Sequence, residues 1–333
     1  MDKVARLNEQ QRAELFQETA AVKGMTPAVV EKDFWVSWIL GRLYQDDDLT
    51  RQLMFKGGTS LSKVYDLIER FSEDIDLILD WREVTADDPM AERSKTKQDA
   101  LNQEINDKAQ NYIADDLLAM VNNVIDGVCD CEIEKEDPRV INIRYPAAFK
   151  DTYLRPEVRL EIGPLASWLP YEERKISCYA AEAFPKVFDT TEYNVRVITA
   201  ERTFWEKATI LHHEAHRPKE SAQPPRYSRH YYDLARMVNS GVKESALDQL
   251  DLLAEVVEFK QRFYPRGWAR YDLAVPGSLK LVPEEHVLES VRKDYQNMRD
   301  MIFGEVLYFD AMMQTLQALE EEINGSKLES AES

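Results

Sequence analysis

The sequence predicts an α+β protein, with a mixed sheet and helices in the N-terminal half and a helical C-terminal half. Three observations carry that prediction. Phe55–Leu79 reads as strand end, Gly-Gly turn, amphipathic helix and Asp-x-Asp strand. Cys129–Glu134, Arg139–Tyr145 and Glu157–Ile162 alternate apolar and polar residues, the period of half-buried strands. From Tyr193 to Asn324 the apolar spacing is helical almost throughout.

Taken in order, residues 5–20 form a polar helix. Thr26-Pro27 is a helix start, a capping hydroxyl before proline at the first helical position. It opens Ala28–Tyr44, whose Val30, Phe34, Trp35, Trp38, Ile39 and Leu43 fall on one buried side. Asp46-Asp47-Asp48 closes that helix ahead of a strand, Gln52–Phe55. Gly57-Gly58 is the turn, Thr59–Glu69 a helix and Asp74–Leu79 the next strand. Residues 84–127 are read as a helical insertion beyond this hairpin, with Ile105, Tyr112, Ile113, Leu117, Leu118, Val121 and Val124 on its apolar side. Five helices follow: Thr199–Ala215, Arg229–Asn239, Lys243–Phe263, Glu284–Phe303 and Glu305–Glu322. Arg217–Arg226 is a proline-containing break. The expected organisation is an α+β domain over 1–192, a helical domain over 193–324 contributing to the active site, and a disordered tail over 325–333.

The 333 residues, 44% hydrophobic and 10% aromatic, suffice for a folded globular protein. A net charge of −19 argues against broad nucleic-acid binding, because phosphate is repelled at long range. It leaves room for a local basic cleft and favours a basic partner. Three cysteines (Cys129, Cys131, Cys178) give no closed disulfide framework, and Cys-x-Cys offers too few ligands for zinc. The N-terminus has charges where a signal peptide needs an apolar run, and no stretch reaches the ~18 apolar residues of a membrane span. A soluble, cytoplasmic protein with reduced thiols is expected.

The chemistry sits in FKGGTSLSKVYDLIERFSEDIDLIL. Gly57 and Gly58 let backbone approach phosphate oxygens, and Thr59 and Ser60 add hydroxyl donors at a helix start. Lys63, one turn on, is placed to join them. Alternate strand residues share a face, so Asp74 and Asp76 converge while Ile75 points to the core. Ser72 can share that face, and Arg70, just before the acidic strand, is placed to hold the serine loop. Magnesium takes carboxylate oxygens and keeps several waters, so two Asp side chains suffice. Alone, a Gly-Gly-Thr turn is commonly a helix cap and Asp-x-Asp a solvated strand face. Their order points to a nucleoside triphosphate with Mg2+ (or Mn2+), hence to nucleotidyl transfer.

This order resembles the DNA polymerase β-like nucleotidyltransferase superfamily. More narrowly, GGTSLSK followed by RFSEDIDL is similar to the AbiEii/AbiGii-type nucleotidyltransferase toxins of abortive-infection and toxin–antitoxin systems, linked to phage defence. EKDFWVSWIL (Glu31–Leu40), ERTFWEKATIL (Glu201–Leu211) and RHYYDLARM (Arg229–Met237) are similar to further blocks of that family. The resemblance implies Asp74 and Asp76 as metal ligands, Ser72 as the serine of Ser-x-Asp, and Lys207 as the lysine on the triphosphate. It implies Asp233 as a distal aspartate that organises the lysine or assists the nucleophile. Glu161 alternates correctly for a third carboxylate, although a solvated sheet face fits it equally. An RNA acceptor, with the tRNA 3′ end as the candidate, and an antitoxin encoded nearby are implied as partners. A protein or small-molecule acceptor, or a regulator that binds nucleotide without turnover, is the alternative.

His212 and His216 in HHEAH are one helical turn apart, but the glutamate of a zinc hydrolase is displaced, so a structural or substrate-lining role is preferred. Arg217, Lys219, Arg226 and Arg229 make the most basic stretch of an acidic chain. A solvated loop would look the same; its place between Lys207 and Asp233 makes it the candidate RNA contact.

Overall fold

The computed structural model describes residues 1–72, 74–125, 127–151 and 154–330, and the side chains of Asp300 and 326–330 are left aside. It contains an α+β architecture, divided into one unit of Met1–Val64 with Phe71–Ile198 and a second of Tyr65–Arg70 with Thr199–Ser333. The sheet unit thus extends through Ile198 rather than to residue 192, and a short piece of N-terminal sequence belongs with the helices.

The first unit opens with α1 (Asp2–Ala5) and α2 (Glu9–Lys23), followed by α3 (Pro27–Tyr44) and α4 (Asp47–Gln52). Thr26 caps α3 ahead of Pro27 as the sequence predicts, and Asp46 caps α4 through its carboxylate. Next come β1 (Leu53–Lys56), α5 (Gly57–Lys63) and β2 (Asp74–Leu79). The insertion is α6 (Lys95–Tyr112), a π-helical turn (Ile113–Leu117) and α7 (Leu118–Ile125). Ile105, Ile113, Leu117, Val121 and Val124 are buried along it, whereas Tyr112 and Leu118 of the expected apolar side are only half-buried. Then follow β3 (Asp130–Ile133), β4 (Val140–Arg144), β5 (Glu157–Gly163), β6 (Tyr171–Ser177), α8 (Tyr179–Ala183) and β7 (Glu192–Ile198).

The seven strands are ordered β3-β4-β5-β2-β1-β7-β6. Among the described residues, only β2–β5 and β1–β7 pair in parallel. Leu53, Met54 and Phe55 are all buried, as a central strand covered on both faces requires. On β2, Ile75, Leu77, Ile78 and Leu79 are buried while Asp74 and Asp76 are half-exposed. Beneath the sheet, the aromatic ring of Trp35 on α3 packs edge-on against Trp38 and stacks on Tyr145, with centroids at 5.6 and 5.5 Å.

Two sequence expectations change here. Strands β6 and β7 are not among those expected from the alternation, and the helical texture expected from Tyr193 begins only after Ile198. Tyr193, Val195 and Val197 alternate inward against Glu192, Asn194 and Arg196, a strand period in a run only seven residues long. β6 is an edge strand, and its charged Glu172, Glu173, Arg174 and Lys175 suit a strand with one unpaired side. The helix after Gly57-Gly58 stops at Lys63, not Glu69, and Asp66 then takes a left-handed φ of 51°.

The second unit contains α9 (Ala200–Ala215), α10 (Ser228–Val238), α11 (Val242–Leu247), α12 (Leu250–Phe263), α13 (Glu285–Met298) and α14 (Phe309–Ser330). The single helix expected over Lys243–Phe263 is two, divided at Asp248-Gln249. α14 starts later than expected and continues through Ser330, so the expected disordered tail is helical up to that residue. The rest of the tail, 331–333, lies outside the described residues. Segment 65–70 is strapped to this unit: Glu69 pairs with Arg236 at 2.9 Å, its carbonyl accepts from the Phe303 N–H, and Arg70 bridges to Ile302.

Candidate active site

The sheet unit assembles the Gly-Gly turn and the Asp-x-Asp strand as one structure. Antiparallel pairing sets Lys56 opposite Asp76, so Gly57 turns away directly beside that carboxylate. Gly57 has φ of +84°, and a Cβ there would stand 1.9 Å from Asp76 Oδ2. Only glycine satisfies both demands. Gly58, Thr59 and Ser60 follow, buried in the first turn of α5. The Thr59 hydroxyl donates to the Asp74 carbonyl and stands 2.9 Å from Ser72 Oγ. With its one proton spent on the carbonyl, Thr59 must accept from Ser72. Ser60 Oγ donates to the Gly57 carbonyl at 2.8 Å. The hydroxyls therefore lock turn to strand, and Ser72 keeps its lone pairs as acceptors.

Gly57→Ala should lower stability by about 1–3 kcal/mol, from backbone strain and the displaced Asp76. Gly24 is the internal comparison, with φ of +66° and open space around a Cβ. Denaturant melts should show a larger loss for Gly57→Ala than for Gly24→Ala. Equal losses would mean that the carboxylate contact is immaterial.

Parallel register sets Asp74 beside Arg159 and Asp76 beside Glu161. The Arg159 guanidinium stands 3.7 Å from Asp74 and 3.4 Å from Glu161, so it divides the acidic face. Among the described residues, no three His, Cys, Asp or Glu side chains converge as a metal cluster. Glu161 therefore shares the face without being gathered with Asp74 and Asp76. Asp74 and Asp76 remain hard oxygen donors on one strand face, a set that suits Mg2+ completed by phosphate oxygens and water.

Lys63 is not directed to phosphate. Its ammonium pairs with Asp33 of α3 at 2.5 Å and lies 4.5 Å over the Tyr179 ring, both charges nearly buried. Asp33 also accepts from the Tyr179 N–H at 2.7 Å. Its neighbours are committed in the same way. Glu31 accepts from the N–H groups of Ala148 and Phe149 at 2.8 and 3.0 Å, and Lys32 donates to the carbonyls of Arg155 and Glu157. Three consecutive charged residues on a buried helix thus brace the loop before β5 and the end of α5. Sequence reading noticed EKDFW only as a similarity. The signal available was three adjacent charges inside an otherwise apolar helical stretch.

In the helical unit, α9 and α10 bring Lys207 and Asp233 together. Lys207 Nζ donates to Asp233 Oδ2 at 2.8 Å and stands 3.2 Å from His230 Nδ1. Arg70 takes the same carboxylate in a fork, Nε to Oδ1 at 2.6 Å and an Nη to Oδ2 at 2.8 Å. Asp233 is fully buried, and Arg70 and Lys207 nearly so. Burial alone would raise the Asp233 pKa; Arg70 and Lys207 reverse that and hold it well below the usual carboxylate range. Burial pulls Lys207 down from the ordinary lysine value, opposed by Asp233. A carboxylate so acidified, with both oxygens occupied, is a weak base and a strong organiser. Arg70, expected near the serine loop, is instead the clamp on Asp233.

The remaining motifs are structural in geometry. His212 Nδ1 accepts from the Lys280 N–H at 3.0 Å, so Nε2 carries the proton given to the Arg270 carbonyl at 2.9 Å. Neither nitrogen is open to a metal. Arg217 is held in a fork by Glu214 at 2.7 and 2.8 Å, whereas Lys219, Arg226 and Arg229 are exposed. Burial pushes both His212 and His213 down to about 4. Histidine that is neutral when folded but titrates near 6.5 when unfolded stabilises above 6.5, and that stability drains as pH falls towards 4. Melts of His212→Gln should show a smaller loss between pH 6.5 and 4 than the parent; an unchanged slope would exclude His212 as a source.

A mixed sheet presenting Asp-x-Asp beside a glycine turn is the arrangement expected of a nucleotidyltransferase. A family profile described as "Nucleotidyl transferase AbiEii toxin, Type IV TA system" matches residues 38–315, and the chain belongs to that family of toxin–antitoxin nucleotidyltransferases. Among solved structures, MenT4, a nucleotidyltransferase toxin from Mycobacterium tuberculosis H37Rv, is similar at 16% identity and a TM-score of 0.43, over 96% of this chain and 97% of that one. No curated protein matches. Among the described residues no helix is long and apolar enough to cross a membrane.

Proposed function

We propose that this toxin transfers a nucleoside monophosphate from an NTP to an RNA acceptor, with the tRNA 3′ end as the first candidate. The observation that carries the reading is the Asp76 carboxylate seated on the Gly57 turn, one strand alternation from Asp74. Backbone N–H groups at the start of α5 receive phosphate oxygens, and Asp74 and Asp76 hold Mg2+ (or Mn2+). The ion, when bound, neutralises phosphate charge as a Lewis acid. The acceptor hydroxyl oxygen bonds to the α-phosphorus as its proton passes to solvent water, the α–β phosphoanhydride bond breaks, and pyrophosphate departs. Lys207, organised by Asp233, supplies positive charge for the leaving pyrophosphate. Lys219, Arg226 and Arg229, exposed in the basic stretch, are the proposed contacts for an RNA backbone, while Arg217 is paired with Glu214. The antitoxin is the second partner that the family implies.

The experiment supplies α-labelled ATP, CTP, GTP and UTP with Mg2+ and total RNA to the full chain. Label in RNA, lost with Asp74→Ala, supports the reading. Label in a nuclease-resistant protein band or a small product moves the acceptor to that class, and the net charge of −19 makes this the arm to include. Tight NTP binding without pyrophosphate release would overturn the proposed transfer.

A further inference from the structure

We infer that His230 is a positioning residue for Lys207: its neutral ring accepts an ammonium proton at Nδ1 and, with Asp233, fixes the direction of the lysine's remaining donor. The inference rests on Lys207 acting at the triphosphate. His230 and Asp233 lie three residues apart on α10, hence on one helix face, and both meet the ammonium from α9. An ammonium has three N–H donors and no lone pair. One goes to Asp233 Oδ2 at 2.8 Å and a second to His230 Nδ1 at 3.2 Å. With two donors anchored, rotation about the terminal C–N bond is stopped, and the third N–H points in one direction.

The arrangement dictates the ring's state. Lys207 can only donate, so Nδ1 must carry a lone pair and the proton must sit on Nε2. A charged imidazolium would set two cations against each other. Burial and the cations of Lys207, Arg229 and Arg70 keep the ring neutral, outweighing the opposite pull of Asp233. Tyr227 packs its ring edge-on to His230 at 4.9 Å between centroids, which fixes the imidazole plane. Asp233 anchors by charge and is shared with Arg70; His230 anchors without adding a negative charge. The cluster of Arg70, Lys207, Asp233 and His230 thereby keeps a net positive charge, the sign a triphosphate requires.

The test uses the full chain in two independent arms. Long-range proton–nitrogen correlation of the histidine rings at neutral pH should find His230 unprotonated at Nδ1 and protonated at Nε2. A proton on Nδ1 would overturn the proposal, whatever the acceptor of the reaction is. In the second arm, His230→Asn offers an amide oxygen near the Nδ1 position and His230→Leu offers no acceptor. Transfer kcat and the Kd for α,β-methylene NTPs are measured for each, with thermal melts. The asparagine variant should stay within about threefold of the parent in both, and the leucine variant should lose about tenfold or more in kcat. Equal losses in two folded variants, or none in either, would show that the ring acts by packing alone. If the leucine variant fails to fold, the ring tautomer decides.

Discussion

Asp76→Asn is expected to reduce nucleotidyl transfer by about three orders of magnitude while leaving the fold intact. The amide keeps the shape that packs against Gly57, where the native Oδ2 occupies the space of a Cβ. It removes the negative charge that draws a divalent ion to the strand face. A bound ion contributes several kcal/mol to charge stabilisation in phosphoryl chemistry, and losing about 4 kcal/mol corresponds to ~10^3 in rate. Stability should change by less than about 1 kcal/mol, because Asp76 is half-exposed on the strand face. Labelled incorporation is compared with the parent over a range of Mg2+ and Mn2+, beside a thermal melt. Activity within tenfold of the parent at every metal concentration would remove Asp76 from the site.

Asp233→Asn should fail differently, in both activity and stability. Removing the carboxylate leaves Arg70 and Lys207 buried and facing each other, each without its anionic partner. Breaking a buried pair from one side costs about 3–5 kcal/mol, because the remaining charge is uncompensated. Here two cations remain. The loss should appear as a lower urea midpoint together with a fall in transfer of at least ~10^2. The pH dependence identifies the cause. The Asp233 pKa lies far below its unfolded value near 3.9, so its stabilisation is present above about pH 4 and is lost as pH falls further. The parent's advantage over the variant should therefore be constant near neutrality and shrink below pH 4. An advantage that stays constant into acid would assign the loss to packing.

These two variants also mark how far local sequence carries. Asp74, Asp76 and the Gly-Gly turn were legible because strand alternation and positive φ are properties of a few neighbouring residues. The Thr26 cap and the apolar side of α3 were legible for the same reason. Lys207 and Asp233 came from family similarity, not from spacing. Each is an ordinary helix residue until its partner is known.

Lys63 shows the opposite case. Its position one turn after the glycines suggested phosphate, yet its partner is Asp33, in a helix that precedes the turn. Arg70 was assigned to the neighbouring serine loop, and it clamps an aspartate 163 residues away. β6 and β7 were missed because a seven-residue alternation, charged on its outer side, is a weak signal beside long helical patterns.

The sequence by itself determined the fold class, the acidic strand, the glycine turn and the family. Tertiary structure alone decided which charges are available. It buries Lys63 with Asp33, sets Arg159 between Asp74 and Glu161, and joins Arg70, Lys207 and His230 around Asp233. The physical reason is that backbone geometry repeats over a few residues and can be read locally. The state of a charge depends on burial and on partners that the chain brings from any distance.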